Sequence, residues 1–209
     1  MKTWTKEEMA KEAISLVPNK SIINLGIGLP TLIAGLTPKD KNIIFHSENG
    51  VLGVGASPSL EDVSPTLINA GKETISVIEG ASYFHSANSF AMIRGGHIDA
   101  AILGAMEVDT QGNLANWSIP GKKITGMGGA MDLVNGPKLV IAMTYHFNKN
   151  NQSKLVNKCR LPLTGKSVVH LTVTDYGVFE ICNQKGKFKV LKVASKEAFN
   201  SLDQSLFYE

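Results

Sequence analysis

The sequence predicts an α/β fold in which an open, mainly parallel sheet is flanked by helices and followed by a C-terminal antiparallel β-meander. Short apolar or β-branched runs alternate with helical patterns, as expected of parallel strands covered on both faces; they occupy residues 21–25, 42–47, 74–78, 100–103 and 139–143. Later runs are separated only by short glycine-containing turns, which indicates neighbouring antiparallel strands; they occupy residues 168–173, 178–181 and 188–193.

The first helix is predicted by its start signal and its spacing. Thr5 and Glu8 have the spacing of a capping box, in which each side chain bonds the other's backbone N–H. The apolar residues that follow keep helical spacing until Pro18 ends the pattern. Pro30 favours the first position of another helical turn, directly after a predicted strand.

Two further helices complete the predicted elements. Residues 84–94 have a helical pattern that ends at two glycines, and a short helix is expected near Ser195. Residues 57–65 contain prolines and acidic residues, and we expect a surface loop there. Because no linker, repeat or low-complexity segment interrupts the chain, we expect one domain over residues 1–209.

Composition excludes several classes of function. The 209 residues are 43% hydrophobic and 19% charged, with a formal net charge of +3 and no basic run, which argues against a nucleic-acid partner. The N-terminal segment carries acidic residues within its apolar pattern, unlike a signal peptide, and no apolar stretch approaches the length of a membrane span. We therefore expect a cytoplasmic protein with no membrane partner.

The cysteines and histidines suggest neither a disulfide framework nor a metal site. Cys159 and Cys182 are far apart and form no Cys-x-x-Cys pair, so reduced thiols are expected. The five histidines are scattered, and none has a metal-ligand spacing. We expect a structural or surface role for each histidine, and no metal.

Glycines follow the first predicted strand. Gly26 and Gly28 precede Pro30 at a strand-to-helix junction, where backbone N–H groups can approach an anionic ligand. A tight turn without a ligand explains these glycines equally well. Thr31 replaces the third glycine of the dinucleotide-binding motif, so we exclude a nicotinamide cofactor.

A carboxylate and a second glycine segment are the remaining candidates for chemistry. Glu48 follows the strand at residues 42–47, at the sheet edge where ligands bind in open α/β folds, and Asn49 and Gly50 form a turn pair that would project it outward. Gly128 and Gly129 precede a predicted helix and could present N–H groups to an oxyanion. From spacing alone, a surface turn residue is the favoured interpretation of Glu48, and the glycines could be a flexible loop with a helix start.

These segments together resemble the family I CoA-transferases. Residues 47–50, Ser-Glu-Asn-Gly, are similar to the active-site signature of that family. Further similar segments follow in the family's order; they are residues 24–30, 93–99, 112–117, 126–134 and 161–165. The length resembles that of the B, or beta, subunit of 3-oxoacid CoA-transferases, including the acetate/acetoacetate type. Residues 175–179 depart from the usual pattern, within the predicted meander.

The resemblance implies a fold shared with CoA-transferases and sugar-phosphate isomerases, and a ping-pong reaction through a glutamyl-CoA thioester. Glu48 would be the covalent nucleophile, and Gly129, with Gly128 beside it, would donate backbone N–H groups. The acyl site would be lined by Asn24, Gly26 and Gly28. Lys72 would contact CoA, although a solvated surface lysine is an equal alternative.

The resemblance also implies partners and substrates. CoA and acyl-CoA would be substrates, with no permanently bound cofactor. The acids are expected to be short-chain or 3-oxo acids. No A-type half is present in the chain, so a separate A (alpha) subunit is expected, in an A2B2 heterotetramer. An acyl-CoA hydrolase of the same fold is the nearest alternative, and a ligand-sensing module on the isomerase-like fold is a more distant one.

Overall fold

The computed structural model describes residues 2–121, 123–124 and 126–209. Its helices are α1 (Lys6–Ser15), α2 (Leu32–Leu36), α3 (Ser86–Arg94), α4 (Ala130–Asn135) and α5 (Lys196–Asn200). Its strands are β1 (Ile22–Leu25), β2 (Ile44–Ser47), β3 (Val51–Val54), β4 (Val77–Tyr83), β5 (Ala100–Leu103), β6 (Glu107–Asp109), β7 (Leu114–Ala115), β8 (Ser118–Ile119), β9 (Lys123–Ile124), β10 (Leu139–Met143), β11 (Leu155–Val156), β12 (Leu171–Thr174), β13 (Gly177–Cys182), β14 (Lys187–Val193) and β15 (Phe207–Tyr208).

In the described part of the chain, ten strands form one sheet in the order β15-β14-β13-β12-β10-β5-β1-β2-β3-β4. The central strands β12, β10, β5, β1 and β2 are parallel. Strands β13 and β14 continue β12 as an antiparallel meander, which confirms the predicted fold class. Strands β3 and β4 add a second antiparallel edge next to β2. The predicted strand at residues 74–78 overlaps β4 only at Val77 and Ile78, since β4 begins three residues later and continues to Tyr83.

Apolar layers cover both faces of this sheet. On one face, Met9 and Ile14 of α1 belong to a cluster with Ile23 of β1. On the other face, Ile93 of α3 and Leu133 of α4 belong to a second cluster, which also contains side chains of β5 and β10. All four residues of β5 are buried, because alternate residues face the two layers. The continuous apolar runs in the sequence follow from this two-sided burial.

The helix signals in the sequence appear as contacts. Thr5 Oγ1 accepts a hydrogen bond from the Glu8 N–H at 3.2 Å, and Glu8 Oε2 accepts one from the Thr5 N–H at 2.7 Å, which completes the capping box. Ser195 caps α5 through a bond from the Ala198 N–H. Pro30 lies in a short 3₁₀ turn that leads into α2, as its position predicted.

Surface features complete the fold. Residues 57–65 form a mainly exposed loop, as expected from their composition. Cys159 and Cys182 are free thiols. Among the described residues, no helix combines the length and the apolarity that crossing a membrane requires.

Candidate active site

A tight hairpin between β2 and β3 holds Glu48 at the carboxyl end of β2. The Gly50 N–H donates to the Ser47 carbonyl at 3.0 Å, and the Phe84 N–H donates to the Gly50 carbonyl at 3.0 Å. Gly50 has φ of 116°, and a Cβ there would overlap the Phe84 carbonyl oxygen, so the turn requires glycine. Glu48 is therefore presented, half-buried, at a fixed place on the sheet edge.

Asn24 contacts Glu48 from the neighbouring strand. Asn24 lies near the end of β1, in parallel register with His46 of β2, and is fully buried. Its Nδ2 donates a hydrogen bond to Glu48 Oε2 at 3.1 Å. The structure thus brings together two of the residues that the sequence predicted for the site.

A buried histidine lies behind this contact. His46 Nδ1 is 3.1 Å from Asn24 Nδ2, and His46 Nε2 is 2.8 Å from Ser89 Oγ of α3. His46 is only 2% exposed, and burial lowers its pKa from 6.5 to about 4, so the ring is neutral near pH 7.

Sequence patterns alone did not single out His46 or Ser89. His46 lies on β2 two residues before Glu48, which follows the strand, and this short spacing was the available signal. The contact with Ser89 joins residues 43 positions apart and required the folded structure.

The second glycine segment lies beside Glu48. A Cβ built on Gly129 would be 3.4 Å from Glu48 Cγ and 2.9 Å from Phe90 Cζ. Only a glycine fits between these two side chains without displacement. Gly128 precedes it with φ of 48° and is exposed, and α4 begins directly after Gly129. The backbone at residues 128–129 is therefore placed next to the candidate nucleophile.

Glu48 and these glycines share one open cleft with a volume of about 470 Å³. Its lining also includes Gly26, Ile27, Ala70, Asn116 and residues 103–106. A cleft of this size accepts a small organic substrate with part of a longer one. A carboxylate opposite a glycine-rich backbone suits acyl chemistry, since it pairs a nucleophile with possible N–H donors.

The first glycine loop contributes less than its sequence suggested. The Gly26 N–H donates to the Ile102 carbonyl at 2.8 Å, so this amide extends the β1–β5 ladder and does not face a ligand. A Cβ on Gly26 would be 2.9 Å from Leu103 Cδ2, which explains the glycine by close packing. Gly28 is exposed, with φ of 82°, and is not part of the cleft lining.

Lys72 stands near the rim of the cleft and outside its lining. It adopts φ of 65° in an exposed turn, where its N–H donates to the Asn69 carbonyl at 3.0 Å. The same segment reaches the cleft through Ala70, whose N–H donates to Ser47 Oγ at 3.1 Å. In the described ranges, no group of histidine, cysteine or acidic side chains is arranged to hold a metal ion.

Known proteins match this chain over nearly its whole length. A profile of the family described as Coenzyme A transferase matches residues 7–198. The B-type subunit of succinyl-CoA:3-ketoacid coenzyme A transferase from Helicobacter pylori is 54% identical over 199 residues, which are 95% of this chain and 93% of that protein. The beta subunit of acetate CoA-transferase from Escherichia coli is 45% identical over 180 residues, which are 86% of this chain and 82% of that protein.

A solved structure shares the fold at low sequence identity. The apoenzyme of an acyl-CoA transferase from Escherichia coli superposes with a TM-score of 0.72 and 16% identity. The match covers 96% of this chain and 41% of that chain, so this chain spans less than half of that longer protein.

Proposed function

The chain belongs to the coenzyme A transferase family, as a chain of its B-subunit type, and on this premise we propose that it transfers CoA between an acyl-CoA and a free carboxylic acid with Glu48 as covalent nucleophile. One observation carries this proposal. The Glu48 carboxylate is held by Asn24 in an open cleft, with the backbone of Gly129 beside it.

The first half-reaction forms the covalent intermediate in two steps. The ionised Glu48 carboxylate attacks the thioester carbonyl of the donor acyl-CoA, the C–S bond breaks, and CoA leaves as a thiolate. This step gives an acyl-glutamyl anhydride. The thiolate then attacks the glutamyl carbonyl, which gives a glutamyl-CoA thioester and releases the donor as a free carboxylate.

The second half-reaction reverses these steps with the acceptor acid. The acceptor carboxylate attacks the glutamyl thioester and displaces the CoA thiolate, which forms a new anhydride. The thiolate attacks the acyl carbonyl of that anhydride, so that a new acyl-CoA leaves and Glu48 returns to its carboxylate form. No water enters the balance, and no permanently bound cofactor is required.

Each addition step passes through an oxyanion that needs N–H donors held in place in advance. We assign this role to the backbone at Gly129, with Gly128 beside it, because the glycine segment lies against Glu48. Asn24 holds the carboxylate, and Gly26 shapes the adjacent wall by its close packing on Leu103. Gly28 and Lys72 would then contact the outer part of the substrate, beyond the lined cleft.

A second, A-type subunit completes the enzyme in this proposal. The bacterial relatives are named as B or beta subunits. Two apolar side chains of the cleft lining support a covering partner, since Ile27 is 64% exposed and Met127 is 41% exposed. We propose an A2B2 assembly in the cytoplasm that acts on short-chain or 3-oxo acids, in line with the substrates that the relatives' names state.

The test is product analysis of the chain with and without its A-type partner. The co-expressed complex should convert succinyl-CoA and acetoacetate to succinate and acetoacetyl-CoA, and the chain alone should have little activity. Release of CoA at the same rate without an acceptor acid would indicate a hydrolase instead. Full transferase activity of the purified single chain would contradict the two-subunit proposal.

A further inference from the structure

His46 lies between α3 and the residue that holds Glu48. Its ring has a polar neighbour at each nitrogen, Asn24 at Nδ1 and Ser89 at Nε2, and it is almost completely buried. Phe84 stacks along the ring with an interplanar angle of 17°, at a centroid distance of 6.3 Å. The ring is thus held by contacts on its edges and on one face, and its orientation is fixed.

The hydrogen-bond chemistry fixes which nitrogen of His46 carries the proton. An ionised Glu48 carboxylate can only accept, so Asn24 must present its NH2 group to it. The same Nδ2 supplies its second hydrogen to His46 Nδ1, which must then be an unprotonated acceptor. The ring proton therefore lies on Nε2 and is donated to Ser89 Oγ.

The Asn24 side chain uses its NH2 group for the bonds to Glu48 and His46, and its amide oxygen lacks a partner in the part of the chain that the structure describes. Asn24 Oδ1 is buried and has no hydrogen-bond partner within the described residues. A reversed amide would place this oxygen against the Glu48 carboxylate and against the acceptor nitrogen of His46. Two acceptors in contact repel each other, so the Glu48 carboxylate opposes the reversed orientation, and His46 with its proton held on Nε2 by Ser89 opposes it at the second hydrogen of the same NH2 group.

We propose that His46 is a positioning residue, which holds the Asn24 amide with its NH2 group toward Glu48 and thereby fixes the nucleophile in the cleft. This inference rests on the proposed function of Glu48. His46 is not among the residues that line the cleft, and its two ring nitrogens contact Asn24 and Ser89. Its effect must therefore be transmitted through the Asn24 amide.

Two substitutions of His46 test the contact at Nδ1 and the contact at Nε2 separately. His46→Asn places an amide oxygen near the position of Nδ1 and keeps the acceptor for Asn24, while losing the contact with Ser89. His46→Gln places its amide near Nε2 and keeps a partner for Ser89, while losing that acceptor. We expect His46→Gln to lower kcat about 10-fold or more, because small displacements of a reacting group cost much rate. His46→Asn should retain most of kcat.

The measurement is kcat and KM per folded active site in the complex of both subunits. A positioning defect lowers kcat with KM for acyl-CoA little changed, since substrate contacts are intact. Equal kcat in the two variants would overturn the inference. The proposed function would still stand in that case, provided the wild-type complex forms the CoA adduct on Glu48. Absence of that adduct in the wild type would instead remove the proposed function.

A measurement on the wild-type protein covers the case in which the variants fold poorly. Nitrogen NMR of the imidazole distinguishes the two neutral tautomers and the charged ring. The inference requires a neutral His46 with its proton on Nε2 at pH 7. A ring with its proton on Nδ1, or a charged ring, would overturn the inference.

Discussion

His46 and His146 are two buried histidines with the same charge state in different surroundings. Burial lowers the pKa of each from 6.5 to about 4, so both rings are neutral near pH 7. His46 leads through Asn24 to the Glu48 carboxylate in the cleft. The nitrogens of His146 are 3.4 Å from Thr174 Oγ1 and 3.2 Å from Ser153 Oγ.

The surroundings of His146 are aromatic and lie away from the cleft. Its ring centroid is 4.9 Å from that of Phe147 and 5.1 Å from that of Tyr176, among packed side chains of the C-terminal half of the sheet. A shifted pKa therefore does not distinguish these two histidines by role. Their roles are distinguished by the residues that each ring contacts and by whether those residues reach the cleft. Substitutions near His46 should change turnover, and substitutions near His146 should change stability.

The largest effect is expected at Glu48 itself. Glu48→Gln keeps the shape and the hydrogen bond from Asn24, but an amide cannot form the anhydride, so turnover should be almost abolished. Glu48→Asp keeps the charge and withdraws the carboxylate by about 1 Å, which can cost ~100-fold in rate. Both variants should fold and bind the partner, because Glu48 is only half-buried. The measurement is turnover of the assembled variants at saturating substrates, alongside their unfolding midpoints.

A smaller effect is expected at Gly129. Gly129→Val adds a side chain that would press on Phe90 and reach Glu48, so it obstructs the backbone donor. Loss of one such donor typically costs ~100- to 1,000-fold in kcat. Gly35→Ala is the matched control, since its Cβ would meet only Ala56 at an ordinary 3.7 Å. Equal kcat in the two variants would remove Gly129 from the site.

The smallest effect on turnover is expected at His146, where stability should change with pH. The unfolded chain takes up a proton near pH 6.5 and the folded ring only near pH 4, so stability falls as the pH falls through this window. The loss amounts to roughly 3 kcal/mol for each buried histidine. His146→Phe should remove the part of this pH-dependent loss of stability that His146 causes. Urea unfolding from pH 8 to pH 4 measures the unfolding free energy of the wild type and the variant. Their difference at pH 8, where the histidine is neutral in both states, gives the effect of the substitution on packing.

The kcat of His146→Phe at pH 8 should equal that of the wild type. A large loss of kcat in a folded, assembled variant would break the contrast between the two histidines. An unfolding free energy with the same pH dependence as the wild type would show that His146 is not titrating as its burial requires.

The central strands could be predicted from sequence because both of their faces are buried. Residues 100–103 are apolar throughout, since alternate side chains enter two different clusters, and β5 was found within the bounds expected. The antiparallel pairing of the edge strands β3 and β4 was not predicted. Only Val77 and Ile78 of β4 fall in the predicted run at residues 74–78, and the rest of β4 is largely exposed, so no apolar pattern marks its continuation to Tyr83.

The position of a candidate residue could be predicted where a strand end and a turn fix it, but not where a long-range contact determines it. Glu48 could be placed at a strand end, next to the turn that Gly50 permits. The Gly26 N–H donates to the Ile102 carbonyl because β1 pairs with β5, and this pairing could not be predicted from the sequence. His46 was treated like the other histidines, because its partners Asn24 and Ser89 are distant in sequence.

The most direct test of the covalent mechanism is mass spectrometry of the complex after incubation with acyl-CoA and without an acceptor acid. The peptide that contains Glu48 should gain the mass of a CoA thioester, and borohydride should reduce that thioester and inactivate the enzyme. The Glu48→Gln complex, freshly prepared and free of deamidation, should gain no such mass. An unmodified Glu48 peptide in an active wild-type complex, or near-normal turnover by Glu48→Gln, would contradict the covalent role of Glu48.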